Sequence, residues 1–183
     1  DPGSIDAFVA ALHAGHEAID VLVNNAGATF PDGRDEWDPD GFAASLALNL
    51  AGPMRLTTGV HALLRASGMD GGASVINLSS MSAYRSVPMV PGYGASKAGT
   101  INLTMNLARR WVDHGIRVNA ICPAGVWTDT LRQWMKAQPD TASIETYLRQ
   151  IHALGYCPEP EEIASVATFL CSDEAKFITG HIM

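Results

Sequence analysis

Three short apolar runs, Ile19 to Val23, Ser74 to Ser80 and Ile116 to Cys122, are separated by longer stretches in which apolar residues recur every three or four positions. A short run without polar alternation suits a strand covered on both faces, and an intervening helix is the crossover that parallel strands need. The alternation predicts an α/β layered domain with a parallel sheet. A chain of 183 residues is long enough to bury one substantial core, so residues 1–183 read as a single domain without internal repeats.

Local signals place the boundaries. Ser4 is positioned to cap a first helix that carries Phe8, Val9 and Leu12 and ends near Gly15. Asn24-Asn25-Ala26-Gly27 ends the first strand. Asp38-Pro39 has the N-cap and first-turn chemistry of a long helix running to about Ala66, closed by Gly68 to Gly72. Tyr93 to about Val112 has helical spacing through Ala98, Ile101, Met105, Ala108 and Trp111, with Gly115 as its stop. Pro123, which has no N–H to give to a ladder, ends the third strand. Gly125 to Tyr156 reads as irregular or weakly helical, and Pro160 opens a last helix through Ile163, Val166, Phe169 and Leu170.

Acidic residues outnumber basic ones, 19 to 12, for a net charge of −7, and the basic residues are scattered, Arg109-Arg110 being the densest pair. Nucleic acid or an anionic membrane requires a basic patch, so neither is expected as a partner. No apolar run approaches a membrane span, and Asp1-Pro2-Gly3 resembles no secretory signal or lipidation site. A soluble, cytoplasmic protein is expected. Cys122, Cys157 and Cys171 lie far apart and read as reduced, mostly buried thiols. His13 and His16 lack a third ligand at metal-binding spacing and read as solvated helix residues.

Tyr93 and Lys97 stand at i and i+4 on one predicted helix, so their side chains share a face. An ammonium about 4.5 Å from a phenol contributes roughly 3 to 4 kcal/mol toward the phenolate at an effective dielectric of about 20, which would bring the phenol about 2 to 3 pH units below its ordinary value. A tyrosine so placed can transfer protons near neutral pH. Taken alone, the spacing also fits an ordinary solvated or half-buried pair.

Other residues sharpen the pattern. Asn24-Asn25-Ala26-Gly27 comes first and Asn49 follows. The strand Val75-Ile76-Asn77-Leu78-Ser79-Ser80 then ends in a hydroxyl thirteen positions before Tyr93. In this order the chain resembles the classical short-chain dehydrogenase/reductase family, from Asp1-Pro2 through Ile178-Thr179-Gly180. The resemblance implies a Rossmann-type doubly wound parallel sheet and an NAD(P)-dependent oxidoreductase that interconverts a secondary alcohol and a ketone. It makes Tyr93 the general acid/base, Ser80 the hydroxyl that positions the substrate carbonyl, Lys97 the pKa-lowering cation and nicotinamide-ribose ligand, and Asn49 part of a proton relay. Asn25, Ala26 and Gly27 would lie along the cofactor, the plainer alternative being that Asn24 and Gly27 only make a tight turn between strand and loop. Pro123, Val126 and Thr128 would approach the nicotinamide, Thr128 near its carboxamide. The family commonly carries Pro-Gly at this turn, whereas here Ala124 intervenes before Gly125.

The same resemblance sets further expectations. NAD and NADP both fit, because the residue that reads the ribose 2′ position follows the family's second strand. No glycine-rich pyrophosphate turn occurs in residues 1–183, Asp1-Pro2 matches the segment after the family's third strand, and Gly180 to Met183 matches the start of its last. The chain is therefore expected to be the catalytic middle and C-terminal part of a longer protein, with Ile19 to Val23 as an unpaired sheet edge. By itself it is expected to aggregate, to bind NAD(P)H poorly and to be inactive. A homo-oligomer, dimer or tetramer, is expected through the helices at Asp40 to Ala66 and Tyr93 to Val112. Trp127 to Tyr156 is expected to cover a small alcohol or ketone, with Trp127, Trp134, Met135 and Tyr147 suggesting an apolar or mixed pocket. Two other readings share the pattern: a catalytically silent pseudoenzyme or scaffold subunit, and an epimerase or dehydratase of the family's extended branch. Intact Ser80, Tyr93 and Lys97 weigh against the first, and the short region after Gly125 weighs against the second.

Pro53 stands four residues after Asn49 and has no N–H, so the Asn49 carbonyl loses its helical donor. A carbonyl freed in this way can hold a water between Lys97 and solvent; the alternative is that Pro53 only kinks the helix around the core.

Overall fold

The computed structural model describes all residues from Asp1 to Met183. Strands β1 (Val21–Asn24), β2 (Ala73–Leu78) and β3 (Ile116–Ile121) form a parallel sheet in that order, with Val23 beside Ile76 and Ile76 beside Asn119. β1 has only β2 as a neighbour, and its Val21 and Val23 are 41% and 44% exposed. The far side of β3 is met by the last residues, where the Ala120 N–H bonds the His181 carbonyl at 2.9 Å and the Cys122 N–H bonds that of Met183 at 2.7 Å.

Alternate residues of the strands face opposite layers. On one side Val75, Ile116 and Val118 pack with Val60 and Leu64, with Leu107, Ala108 and Trp111 of helix α5 (Pro91–Trp111), and with Val9 and Leu12 of helix α1 (Pro2–Gly15). On the other side Ile76 and Ile121 meet Ile163, Val166 and Leu170 of helix α8 (Pro160–Cys171). Each buried aliphatic side chain contributes on the order of 1.5–3 kcal/mol, so cover on both faces holds even this short sheet between two layers.

Three sequence expectations are corrected. The first helix is capped by Asp1, whose carboxylate accepts the Ser4 N–H at 2.9 Å, because Pro2 occupies the first helical position and Ser4 already lies inside the turn. The helix from Asp38 to Ala66 is not continuous: α2 (Pro39–Leu46) is followed by a widened turn at Ala47–Ala51, then α3 (Gly52–Gly59) and α4 (His61–Arg65). Pro53 cannot donate, and the Gly52 N–H bonds the Ala47 carbonyl five residues back, so the ladder slips by one residue there. The segment Gly125 to Tyr156 contains two helices, α6 (Asp129–Lys136) and α7 (Thr141–Ile151), capped by Thr128 and Asp140. Their polar outer faces mask a satellite core in which Met135, Leu148 and Cys157 pack with Trp127, Leu131, Ile144 and Ile151.

At the end of the sheet away from the strand C-termini, His61 Nε2 lies 2.9 Å from His114 Nδ1, and the His61 ring packs 4.6 Å from that of Trp111. Burial holds the His61 imidazole below its ordinary value, and His114, Arg65 and Arg110 push the same way. A histidine whose folded pKa is depressed stabilises the fold above its unfolded value of about 6.5, and that contribution is lost as pH falls through the folded value. Thermal unfolding is therefore expected at lower temperature below about pH 6.5, and His114→Gln should shrink this acid-side loss. Equal slopes in wild type and variant would contradict it.

Candidate active site

The carboxyl ends of the strands collect the residues singled out in the sequence, as open α/β sheets place their ligand sites. The Ser79 N–H bonds the Ile121 carbonyl at 2.8 Å, and the Met81 N–H bonds that of Pro123 at 2.9 Å, tying the end of β2 to the turn after β3. The Ser79 hydroxyl donates to the Lys97 carbonyl at 2.8 Å, and Lys97 Nζ donates to the Leu78 carbonyl at 2.6 Å, tying it to α5. Ser80 ends this segment half-buried, with its Oγ accepting from the Ser82 N–H at 3.2 Å.

Tyr93 and Lys97 sit one turn apart on α5, with Nζ 5.3 Å from the centre of the phenol ring. Burial raises the phenol above its ordinary value, the Ser80 hydroxyl opposes that shift, and the charge of Glu36 adds to it. Burial also lowers the Lys97 ammonium to about 8. The expected lowering of the phenol by Lys97 is thus not found. The ammonium lies over the ring and spends a hydrogen bond on Leu78, and desolvation favours the neutral form of both groups.

Asn49 is 1% exposed and its side chain clamps a peptide of the loop after β1: Oδ1 accepts the Ala28 N–H at 3.0 Å and Nδ2 donates to the Ala28 carbonyl at 2.8 Å. A Cβ on Gly27 would lie 2.7 Å from Asn49 Oδ1 and 3.5 Å from Lys97 Nζ, so glycine is what lets this turn pass between them. Asn25, Ala26 and Gly27 are exposed beside that junction. Asn24 turns inward, donating to Thr57 Oγ1 and Asn77 Oδ1 at 2.8 Å each, while Asn77 donates to Thr104 at 2.9 Å. The Asn49 carbonyl has the Thr100 hydroxyl at 3.5 Å, but that hydroxyl lies nearer the Ser96 carbonyl, at 3.0 Å.

Farther along the turn after β3, Val126 is half-buried and Thr128 exposed. The contacts of both are local: the Thr128 N–H bonds the Val126 carbonyl at 2.7 Å, and the Thr128 hydroxyl caps α6. Met135 belongs to the satellite core, whereas Trp134 and Tyr147 are 45% and 59% exposed on the covering helices.

The family model described as enoyl-(acyl carrier protein) reductase matches residues 1–183. Acetoacetyl-CoA reductase of Shinella zoogloeoides is 37% identical over 94% of this chain and 68% of its own length. The chain belongs to the short-chain dehydrogenase/reductase family. A second relative in that family, the 3α-hydroxysteroid dehydrogenase of Mediterraneibacter gnavus, is 32% identical over 100% of this chain and 70% of its own. Among solved structures, levodione reductase superposes with a TM-score of 0.85 at 28% identity, covering 100% of this chain and 71% of that one. The gluconate 5-dehydrogenase of Burkholderia cenocepacia, in complex with NADP and tartrate, does so with 0.85 at 25% identity, covering 100% and 69%.

The relatives that match are named as reductases and dehydrogenases, members of this family typically bind NAD(P), and the residues here fit the nicotinamide-ribose end of such a cofactor. The fit rests on the Gly27 turn, which is stripped of side-chain bulk where it passes Lys97. Sequence reasoning missed Glu36, which is 1% exposed and accepts the Tyr93 N–H at 2.7 Å. It stands in an Asp-, Gly- and Pro-rich loop whose composition reads as solvated, and no spacing marks it. No helix is long and apolar enough to cross a membrane.

Proposed function

We propose that the full-length protein carrying this chain interconverts a secondary alcohol and a ketone with NAD or NADP, using Tyr93 as general acid/base. The observation that carries the reading is the convergence of Ser80, Tyr93 and Lys97 at the end of β2 beside the Gly27 turn. NAD(P), when bound, supplies or accepts a hydride, so the protein needs a positioned proton donor and an oriented carbonyl.

Tyr93 holds the transferable proton on its phenol oxygen and Ser80 orients the substrate oxygen by hydrogen bonding. Lys97, whose ammonium burial lowers to about 8 and which is anchored to Leu78, binds the ribose and passes the proton onward. Asn49 contributes by its main chain, since its amide is committed to Ala28, and the carbonyl that Pro53 cannot satisfy is the relay station toward solvent. Asn25, Ala26 and Gly27 would flank the cofactor, and Pro123, Val126 and Thr128 would line its nicotinamide end. The small-molecule substrate enters beneath α6 and α7. Leu48, Met54 and Met105, exposed on the helices around α3 and α5, support packing of a second copy there.

The test is oxidation of NADH and NADPH by the full-length protein with a panel of ketones and product analysis. Net reduction to the alcohol is the expected result. Cofactor binding without turnover would favour the silent subunit, and isomerised product without net redox change would favour the epimerase.

A further inference from the structure

Glu36 lies in the loop between β1 and α2, almost fully buried, and both carboxylate oxygens are taken by main-chain donors: Oε1 by the Phe30 N–H at 3.0 Å and Oε2 by the Tyr93 N–H at 2.7 Å. A buried carboxylate is costly unless charged hydrogen bonds replace its water, and here two do so. Helix α5 explains one of them. Its N-cap residue, Val90, has no side chain able to cap, and Pro91 has no N–H, so the free N–H of Tyr93 is met by a carboxylate from a distant segment. The negative charge also stands at the positive end of a 21-residue helix. The second bond holds Phe30, the one non-glycine residue with positive φ (47°), in the loop that follows the Gly27 turn. Gly92 lets the carboxylate in: a Cβ there would lie 3.2 Å from Oε2 and 3.0 Å from the Ser45 Cβ.

We propose that Glu36 is a positioning residue for the reaction, locking the loop after the cofactor turn to the first turn of the helix that carries Tyr93 and Lys97. This rests on the reading of Tyr93 as general acid/base. A helix start pinned at the Tyr93 main chain fixes the height of the phenol against Ser80, and proton transfer is sensitive to such placement. Glu36 also acts through its charge. The groups facing the phenol are Lys97 on the same helix, the Ser80 hydroxyl from the end of β2, and Glu36 from the loop before α2, the last favouring the protonated phenol.

The test uses Glu36→Gln and Glu36→Asp in the full-length protein, with Tyr93→Phe alongside. Glu36→Gln retains the shape, accepts only one of the two N–H groups and removes the charge. It is expected to lower kcat about 10- to 100-fold with a much smaller change in KM, and to move the rising limb of alcohol oxidation to lower pH, since the phenol loses an anionic neighbour. Glu36→Asp keeps the charge but is too short to reach both donors, so kcat should fall while the limb stays in place. Wild-type kcat and pH profile in Glu36→Gln would overturn the proposal, as would activity losses in both variants that only track the unfolded fraction. If Glu36→Gln does not fold, Glu36→Asp with wild-type kcat overturns it. Failure of the Tyr93 assignment shows separately, as Tyr93→Phe with wild-type turnover.

Discussion

Tyr93→Phe in the full-length protein is expected to lower turnover by at least about 10² to 10⁴ while leaving stability nearly unchanged. The two halves of this expectation have separate physical grounds. In the proposed role the phenol oxygen carries the transferable proton and a phenyl ring has none, so turnover should fall. Stability survives because the hydrogen bonds that hold this residue are main-chain ones: its N–H goes to Glu36 and its carbonyl accepts the Ser96 hydroxyl at 2.6 Å. The pH dependence has a definite sign. Burial raises the phenol above its ordinary value, so ketone reduction, which uses the protonated form, persists to alkaline pH, whereas alcohol oxidation, which needs the proton removed, gains as pH rises. Steady-state kinetics in both directions with a melting curve checks all of this; a variant with most of its activity intact would refute the assignment.

Arg117→Met is expected to cost about 3–5 kcal/mol of stability, a loss outside the ordinary range for point substitutions. Arg117 is a β3 residue, 5% exposed, and its guanidinium meets four main-chain carbonyls: Gly71 at 3.0 Å, Leu170 at 2.7 Å, Ala175 at 3.1 Å and Ser172 at 3.4 Å. It thereby satisfies the end of α8, the turn after it and the loop before β2 with one planar set of donors. Each hydrogen bond to a charged group is worth roughly 1.5–3 kcal/mol, and the substitution removes all four, although the Leu170, Ser172 and Ala175 carbonyls keep the Ser74 hydroxyl, the Ala175 N–H and the Ile178 N–H as donors. Methionine fills the volume but supplies no donor. Arg117→Lys should recover less than half of the loss, since one ammonium cannot reach four carbonyls in a plane. The site lies at the opposite end of the strands, so kcat per folded molecule should be unchanged. Urea unfolding measures the effect, and a loss below about 1 kcal/mol would count against this account.

Which features were legible in the sequence follows from the range of the forces that set them. The three strands could be read because residues such as Val75, Ile76 and Val118 must be apolar on both faces, and that demand is written in a short window. Tyr93 and Lys97 could be paired because helix geometry alone fixes the neighbours at i and i+4. Pro53 likewise announced a broken ladder, since a missing N–H is a local fact. How the break resolves, as a slipped turn at Ala47–Ala51 that leaves the Asn49 amide gripping the Ala28 peptide, depends on a loop 21 residues away. The helical spacing of Ile144, Tyr147, Leu148 and Ile151 stood in the sequence and marks α7, but what that face covers, a satellite core shared with α6, Cys157 and Trp127, exists only once these segments pack. Lys97 was expected to lower the phenol, but burial and the Leu78 carbonyl decide its place and its charge. Glu36 reads as one more solvated acid until the fold brings it under the start of α5. Local chemistry determined the elements and singled out the candidate side chains; desolvation and long-range hydrogen bonding, which exist only once the chain has packed, decided the direction in which their pKa values move and their alignment.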